Sequence, residues 1–515
     1  MAGIHALAGL DSFPAGAYLG AAFQKQGGPV AQARVVVLGA GVAGHTAASF
    51  LKKWLGSKAE VTVVSPRPDY NWIPSNIWVG VGLLQPRQVL FPLAPVYARH
   101  GITFRQARAL VLHPEGAGED PQPFVEIEST LPGEEGQRSR LPYDYLINAT
   151  GPKLNFDATP GLGPGGHSYS VCTAPHAKAA ADAFLELVER MKRGERKRFV
   201  VGTGHGTCTC QGAAFEYVVN LEFELRARGV RDKAEIVYLT NEYEVGDFGM
   251  DAVHIRRGGY VTPSKVFTES LFAERGVDWV TRAHVQGVEP GRATFETLDG
   301  AEHDIAFDMA MLLPPFKGVG LQAMDRLGAD ITARLFAPSG FMKVDGDYTP
   351  KAYEAFRSVD WPRTYQNPDY PNLFAAGIAF APPHPISRPR QSPKGTPITP
   401  APPRTGMPSA MIAKAVAHSI SDMIQGSPGP TRTASMAEMG AACVASAGNN
   451  PFTGTAASMT VYPIVPDYER YPDYGRDLRH TFGEIGLAGH WIKILLHHMF
   501  LHKARLRPFW SLIPE

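Results

Sequence analysis

Cysteine is scarce in this chain, with only four among 515 residues. So few cysteines exclude the disulfide framework of a small secreted domain and favour catalytic or buried thiols instead. An excess of one charge is lacking as well, because 50 Lys and Arg balance 49 Asp and Glu to a formal net charge of +1. Since a nucleic-acid-binding surface usually needs concentrated basic residues, we expect no nucleic-acid partner.

Long apolar runs and an export signal are also lacking. No stretch reaches the roughly 18 uncharged apolar residues of a membrane-spanning helix. Residues 1–33 have no basic segment followed by an apolar core, so we predict an N-terminal extension without a signal peptide. The remaining length and an ordinary composition, 44% apolar and 19% charged, predict about two to three globular domains.

A strand, a glycine-rich turn and a helix follow one another near the N-terminus. The apolar run 34–38 leads into a G-x-G-x-x-G turn formed by Gly39, Gly41 and Gly44, and a second strand is expected at 61–64. This is the context of the dinucleotide fingerprint. The glycines allow a tight turn, close approach of a pyrophosphate and close helix packing, and the helix N-terminus attracts the phosphates.

Later segments favour FAD as the dinucleotide. A short strand ends in Thr150 and Gly151, and another ends at Gly377, where the chain would return to the first domain. The acidic residue that often ends the second strand is replaced by Ser65, which weakens the expected ribose contact. We therefore predict an α/β fold with two Rossmann-like dinucleotide-binding domains and FAD in the first.

A second glycine-rich turn carries thiols. It follows the apolar run 198–201, contains three glycines and ends in Cys208 and Cys210, just before a predicted helix. A helix N-terminus stabilises a thiolate, so we predict that this domain has given up its nicotinamide site. His205, Cys208 and Cys210 could instead bind zinc, but no fourth ligand is near, and we predict no metal site.

Several motifs resemble those of the sulfide:quinone oxidoreductases and occur in the same order. They are Pro74-Ser75-Asn76-Ile77-Trp78-Val79, Ala149-Thr150-Gly151-Pro152-Lys153-Leu154, Ser170-Val171-Cys172-Thr173 with His176, Cys210-Gln211-Gly212-Ala213-Ala214-Phe215-Glu216, Leu313-Pro314-Pro315-Phe316-Lys317-Gly318, Arg404-Thr405-Gly406 and Ala442-Cys443-Val444-Ala445. The resemblance extends from about residue 34 to the C-terminus. It implies FAD-dependent oxidation of sulfide to polysulfide or zero-valent sulfur, with electrons passed to a membrane quinone.

The resemblance also implies residue roles. The family's three redox cysteines correspond to Cys172, Cys210 and Cys443. We expect Cys210 and Cys443 to form the disulfide that sulfide attacks, and His176 to move protons. The expected cofactor-binding residues are Gly39, Gly41, Gly44, Ser65, Asn76, Thr150, Gly151, Gly377 and Arg404.

Four features depart from the family pattern. Cys208 is an additional thiol, Ala213 replaces a usual proline, and Asp247 stands where a histidine is often found. The stretch 382–408 holds ten prolines and is predicted to form an enlarged loop.

The C-terminal tail is predicted to be an amphipathic helix within 489–508. At helical spacing, one face collects apolar residues: Trp491, Ile492, Leu495, Leu496, Met499, Phe500 and Leu506. The opposite face collects Lys493, His497, His498 and Arg505. Such a helix is typical of peripheral, monotopic attachment to the cell membrane surface. The alternative is a helix that packs on the protein's own core or on a dimer partner.

We place domain boundaries at 34–165 for the first part of the FAD-binding domain and 166–318 for the second domain. The return part of the FAD domain, with its Pro-rich loop, would span 319–440, and the redox-cysteine and membrane-attachment region 441–515. Two other functions remain open: a type II NADH:quinone dehydrogenase and a non-catalytic, FAD-binding thiol redox sensor. The sequence also leaves open the sulfur acceptor and whether the chain forms a homo-oligomer.

Overall fold

A parallel sheet built around the first glycine-rich turn organises the N-terminal part of the molecule. The structure is a computed structural model that describes residues 32–515. Of the predicted extension, residues 1–33, only the last two residues are described. The signal-peptide prediction therefore concerns residues outside the described part of the chain. Residues 33–515 form one compact unit.

The first part of this unit contains nine strands and three α-helices. They are β1 (Ala33–Leu38), α1 (Val42–Leu55), β2 (Ala59–Ser65), β3 (Asp69–Asn71), α2 (Asn76–Gly80), β4 (Leu90–Pro92), α3 (Leu93–Arg99), β5 (Thr103–His113), β6 (Phe124–Ser129), β7 (Arg138–Pro142), β8 (Tyr145–Asn148) and β9 (Lys153–Leu154). Strands β8, β1, β2 and β5 pair in parallel, and β6 and β7 extend the sheet in antiparallel. The apolar residues 35–38 of β1 are fully buried, as expected of a parallel strand covered on both faces.

The second part is built around another parallel sheet. Its elements are α4 (Ala174–Lys192), β10 (Lys197–Thr203), α5 (Gln211–Ala227), β11 (Ala234–Leu239), β12 (His254–Arg257), β13 (Tyr260–Pro263), α6 (Ser264–Arg275), β14 (Asp278–Val280), β15 (Ala283–Glu289), β16 (Arg292–Thr297), β17 (Glu302–Ala306) and β18 (Met309–Leu313). The sheet has the order β14-β11-β10-β18, with every pair parallel. Two parallel sheets with helical connections agree with the predicted α/β class.

The remaining chain returns to the first sheet before it forms a third one. Its elements are β19 (Phe316–Lys317), β20 (Gln322–Ala323), α7 (Thr332–Leu335), β21 (Leu373–Ala375), α8 (Gly406–Ile424), β22 (Ala441–Ala447), β23 (Thr455–Val461), β24 (Phe482–Gly486) and α9 (Leu487–Ala504). Strand β21 pairs in parallel with β8, so the predicted return to the first domain just before Gly377 is confirmed.

The C-terminal strands share a sheet with part of the second domain. The sheet has the order β13-β12-β24-β23-β22. The predicted C-terminal region, 441–515, and the predicted second domain, 166–318, therefore both contribute strands to this sheet. The domain boundaries themselves stay predictions.

Helix α9 turns part of its predicted apolar side outward, but Phe500 of that side stacks on Trp72, and His498 of the predicted polar side is exposed. The side chains of Trp491, Ile492 and Leu495 are each about half exposed, whereas His497 is buried. Leu506, expected on the apolar face, lies beyond the end of the helix and is buried. Within residues 32–515, no helix has the length and apolar character needed to span a membrane.

Candidate active site

The first glycine-rich turn forms an open cradle at the start of α1. A Cβ on Gly39 would lie 2.1 Å from the carbonyl oxygen of Ala149, and one on Gly44 would lie 2.0 Å from that of Gly39. Gly41, the N-cap of α1, has no atom within 4 Å of the equivalent position. The backbone is thus tight on one side and open on the side where a pyrophosphate would meet the helix N-terminus. The residues present fit a dinucleotide.

Other predicted cofactor residues surround this cradle. Thr150 and Gly151 follow Ala149, the residue against which Gly39 packs. A Cβ on Gly377 would lie 2.7 Å from that of Ala43, in the first turn of α1. The Nη1 of Arg404 donates to the carbonyl oxygens of residues 378 and 380, directly after Gly377. The structure therefore brings these residues to one end of the first sheet.

Ser65 and Asn76 are occupied by protein partners. The hydroxyl of Ser65, at the end of β2, donates to the carbonyl of Arg67. The side chain of Asn76 bonds that of Asn71 and donates to the carbonyl of Val171, next to Cys172. In the structure Asn76 supports the segment that carries Cys172, while its predicted cofactor role stays untested.

The second glycine-rich turn is filled. A Cβ on Gly204 would lie 2.4 Å from the side chain of Leu162. A Cβ on Gly206 would lie 2.3 Å from the carbonyl oxygen of Pro397 and 2.8 Å from Nδ1 of His284. Side chains and backbone from three distant segments therefore occupy the space beside this turn.

The Pro-rich loop lies along the second turn. The amide of Thr399 donates to the carbonyl of Gly206, and the amide of Ala401 donates to that of Cys208. The hydroxyl of Thr209 donates to the carbonyl of Pro402. The loop predicted at 382–408 thus packs along the turn that leads into α5.

The three predicted redox cysteines come from three elements that meet beside α5. Cys172 precedes α4, Cys210 is the N-cap of α5, and Cys443 lies in β22. Cys443 packs directly on α5, because a Cβ on Gly212 would lie 2.9 Å from its Sγ. Cys210 has a left-handed backbone, with φ 66°, which a residue other than glycine seldom adopts.

Cys210 is the thiol that interacts with both of the others. Burial raises the pKa of Cys172 to about 12 and that of Cys443 to about 12, and the nearby Cys210 adds to both shifts. All four cysteines are free thiols in the structure. The Cys210–Cys443 bridge is therefore not formed here and stays a prediction.

Arg404 supplies positive charge beside Cys210. Its guanidinium is buried, lies over the ring of Phe341 at 4.4 Å, and has an Nε without a hydrogen-bond partner. Burial raises the pKa of Cys210, and the charge of Arg404 opposes that rise. Arg404 thus offsets part of the cost of a thiolate at Cys210, although burial remains the larger effect.

His176 and Asp247 are the two candidate proton carriers. His176 lies in the first turn of α4; burial lowers its pKa, and its Nδ1 has no hydrogen-bond partner. Asp247 is buried, and burial together with the charge of Glu242 raises its pKa. Both environments favour the neutral form, so His176 is available to accept a proton and Asp247 to give one.

Cys208 is more deeply buried than Cys210, although both thiols lie near Cys172. Its side chain is fully buried, and its Sγ donates to the carbonyl of Leu313 at 3.1 Å. Burial raises its pKa strongly. Among residues 32–515, no group of three or more His, Cys, Asp or Glu side chains is placed to hold a metal ion.

Glu216 and Lys493 form a contact that sequence reasoning missed. The Nζ of Lys493 in α9 lies 3.0 Å from Oε2 of Glu216 in α5. The side chain of Glu216 is buried and that of Lys493 is mostly covered, with 9% and 13% of their surfaces exposed. The four-residue spacing between Gly212 and Glu216 could have placed Glu216 beside Cys443, but nothing in the sequence pairs it with Lys493.

Comparison with known proteins assigns the chain to a family and identifies relatives. Residues 33–346 match the pyridine nucleotide-disulphide oxidoreductase family. The chain is 29% identical to the sulfide-quinone reductase of Aquifex aeolicus over 471 residues, 92% of this chain and 91% of that protein. It is 27% identical to an external alternative NAD(P)H-ubiquinone oxidoreductase of Arabidopsis thaliana over 52% of this chain and 44% of that protein.

The solved structures agree with this relationship. The sulfide:quinone oxidoreductase of Aquifex aeolicus superposes with a TM-score of 0.71, at 27% identity and 92% coverage of both chains. The NDH2 of Plasmodium falciparum, bound to NADH, shares the fold with a TM-score of 0.59, at 12% identity, covering 93% of this chain and 96% of that one. These similarities confirm the resemblance that the sequence motifs predict.

Proposed function

Since this chain belongs to the pyridine nucleotide-disulphide oxidoreductase family, we propose that it oxidises sulfide with bound FAD and passes the electrons to a membrane quinone. One observation carries the proposal. The second glycine-rich turn, where a nicotinamide dinucleotide would bind, is filled and ends in Cys210. Cys210 lies beside Cys172 and Cys443, and Arg404 lies between it and the cofactor cradle.

Gly39, Gly41 and Gly44 would hold the pyrophosphate of FAD against α1, and Gly377 and Arg404 would border it. When bound, FAD would supply the two-electron acceptor for the thiols and the donor to a quinone. Closing a disulfide between Cys210 and Cys443 releases two electrons and two protons, which matches that capacity.

The chemistry on the cysteines begins with the disulfide. Hydrosulfide attacks one sulfur, the S–S bond breaks, one cysteine becomes a persulfide and the other leaves as a thiolate. Arg404 stabilises that thiolate if it forms at Cys210. A second hydrosulfide, or Cys172, then takes the outer sulfur of the persulfide and leaves a cysteine thiolate behind. The sum is the conversion of hydrosulfide to zero-valent sulfur, with loss of two electrons and one proton.

An anaerobic titration tests this proposal against its main alternative. Sulfide should bleach the flavin absorbance of the purified protein, whereas NADH should leave it unchanged because the second turn is closed. Bleaching by NADH would instead favour a type II NADH dehydrogenase. Bleaching by sulfide without steady-state quinone reduction would favour a thiol redox sensor.

Cys210→Ser provides the sharper test. The variant should retain FAD but lose its reduction by sulfide, because no disulfide can form at residue 210. Cys208→Ser is the matched control, since it changes a thiol two residues away that is fully buried, and it should behave as wild type. Normal reduction of Cys210→Ser by sulfide would refute the mechanism.

We further propose that α9 attaches the protein peripherally to a membrane surface, from which quinone reaches it. The half-exposed Trp491, Ile492 and Leu495 support this, because apolar side chains on one side of a helix bind in the membrane interface. Trp491→Ser with Leu495→Ser should abolish co-sedimentation with phosphatidylcholine vesicles and spare reduction by sulfide. Leu327→Ser, at a residue that is 91% exposed in a turn outside α9, is the control. Unchanged sedimentation of the double variant would contradict this attachment.

A further inference from the structure

Helix α9 carries a cation on the side opposite its exposed apolar residues. Trp491 and Ile492 point outward, while the next residue, Lys493, points into the protein and meets Glu216. A buried charge is costly unless it is paired, so this contact commits Lys493 to Glu216. The ion pair joins α9 to α5, the helix whose N-cap is Cys210.

Glu216 lies beside Cys443. It follows Gly212 by one helical turn, and Gly212 is the residue on which the Sγ of Cys443 packs. Only one of its carboxylate oxygens is bonded by Lys493; the other, Oε1, is buried without a hydrogen-bond partner. The carboxyl group, whose pKa is raised by burial, therefore lies within a cluster that includes a thiol.

The charged and titratable groups around Cys443 come from three elements. Glu216 and Cys210 belong to α5, Lys493 belongs to α9, and Tyr238 and Glu242 belong to β11 and the turn after it. After burial, which raises the pKa of Cys443 most, Glu216 raises it further and Lys493 lowers it. The two members of one ion pair thus act on the thiol in opposite directions.

We propose that Lys493 is a positioning residue for Cys443, through which the docking of α9 sets the reactivity of that thiol. With Lys493 in place, Glu216 is held toward α9, and the positive charge of Lys493 favours the thiolate of Cys443. Without Lys493 that charge is lost, and the thiolate of Cys443 forms less readily. The inference rests on the proposed redox role of Cys443. It adds that helix α9 controls the reactivity of this thiol.

Alkylation of Cys443 tests the proposal in the full chain with FAD bound. The thiols are reduced with a phosphine, treated with iodoacetamide across a range of pH, and the modified Cys443 peptide is quantified by mass spectrometry. At a pH well below the thiol pKa, the rate follows the thiolate fraction, so a pKa shift of one unit changes it about tenfold. Lys493→Met should slow alkylation by about fivefold to tenfold, Lys493→Arg should restore it, and Glu216→Gln should accelerate it.

The opposite signs separate this role from a structural one. If the ion pair only fastened α9, losing either partner would expose Cys443 and accelerate alkylation in both variants, which would overturn the proposal. Lys503→Met is the matched control, because Lys503 is also buried in α9 but pairs with Glu515. An equal effect of Lys503→Met would likewise overturn it. Because alkylation requires no sulfide turnover, its result is independent of whether Cys210→Ser loses reduction by sulfide.

Discussion

The two glycine-rich turns begin from the same pattern of strand, glycines and helix, yet one is open and the other is filled. Beside Gly41 there is space at the start of α1, whereas Gly204 and Gly206 meet Leu162 and Pro397. At the first turn, the N-terminus of α1 is free for a phosphate. At the second turn, Cys210 is the N-cap of α5. A helix N-terminus favours an anion, either a bound phosphate or a thiolate, but at Cys210 burial outweighs this effect and raises the thiol pKa.

The largest predicted effect comes from filling the open turn. Gly41→Val should weaken FAD binding at least about a hundredfold, roughly 2.7 kcal/mol, because its side chain would occupy the pyrophosphate position. The backbone at Gly41 has φ −75° and no neighbour within 4 Å, so stability should change little.

The flavin content after gel filtration and the thermal midpoint of the apoprotein measure these two quantities. Gly165→Val is the matched control, because Gly165 also has no neighbour within 4 Å. A variant Gly41→Val that retains full flavin would remove the distinction between the two turns.

Gly206→Ala should have the reverse outcome in the filled turn. Its Cβ would lie 2.3 Å from the carbonyl of Pro397, and such overpacking typically costs about 1–3 kcal/mol. We expect a lower urea midpoint of unfolding and undiminished flavin content. Loss of flavin at unchanged stability would indicate that this turn holds a dinucleotide too.

Arg404 connects the two turns, and its removal should act on the thiol of the second. Arg404→Met should raise the pKa of Cys210, because the positive charge that favours the thiolate is lost. A rise of one unit would lower the rate of Cys210 alkylation about tenfold at a pH below the thiol pKa. The pH profile of alkylation measures the shift, and Arg404→Lys should preserve the wild-type profile. An unchanged profile in Arg404→Met would show that the guanidinium does not act on Cys210.

Cys208 should show the smallest effect. Cys208→Ala removes a buried sulfur and should cost about 1 kcal/mol through the cavity it leaves. Cys208→Ser keeps a donor for the carbonyl of Leu313 and should cost less. Urea unfolding measures both, and reduction by sulfide should persist in both. A loss of that reduction in either variant would give Cys208 a redox role.

The sequence predicted the local parts of both turns. Signals within a few residues of each other are enough for these parts. Hydrophobic periodicity predicts strand β1 and the glycine-rich turn after it, and helix-start signals predict that α5 begins at Gln211. The return of β21 beside β8 was also predictable, because a strand that ends in Gly377 is part of the same fold pattern.

What fills the second turn could not be predicted, because it depends on distant segments. Leu162, His284 and Pro397 reach Gly204 and Gly206 only through the tertiary fold. The pairing of Lys493 with Glu216 could not be predicted for the same reason, because these residues lie 277 positions apart in the sequence. Helical spacing placed Lys493 opposite the apolar residues of α9, but spacing alone does not say which side of a helix faces the protein.

The contact between the Pro-rich loop and the second turn has a consequence for protein engineering. Under the proposed function, the residues that exclude a nicotinamide cofactor from the second turn include 397–402, about 190 positions away from the glycines that they cover. Replacing Cys208 and Cys210 by glycine would therefore leave the obstacle in place, and shortening the loop alone would leave the thiols. A redesign of the proposed enzyme toward NADH would therefore have to change both segments at once.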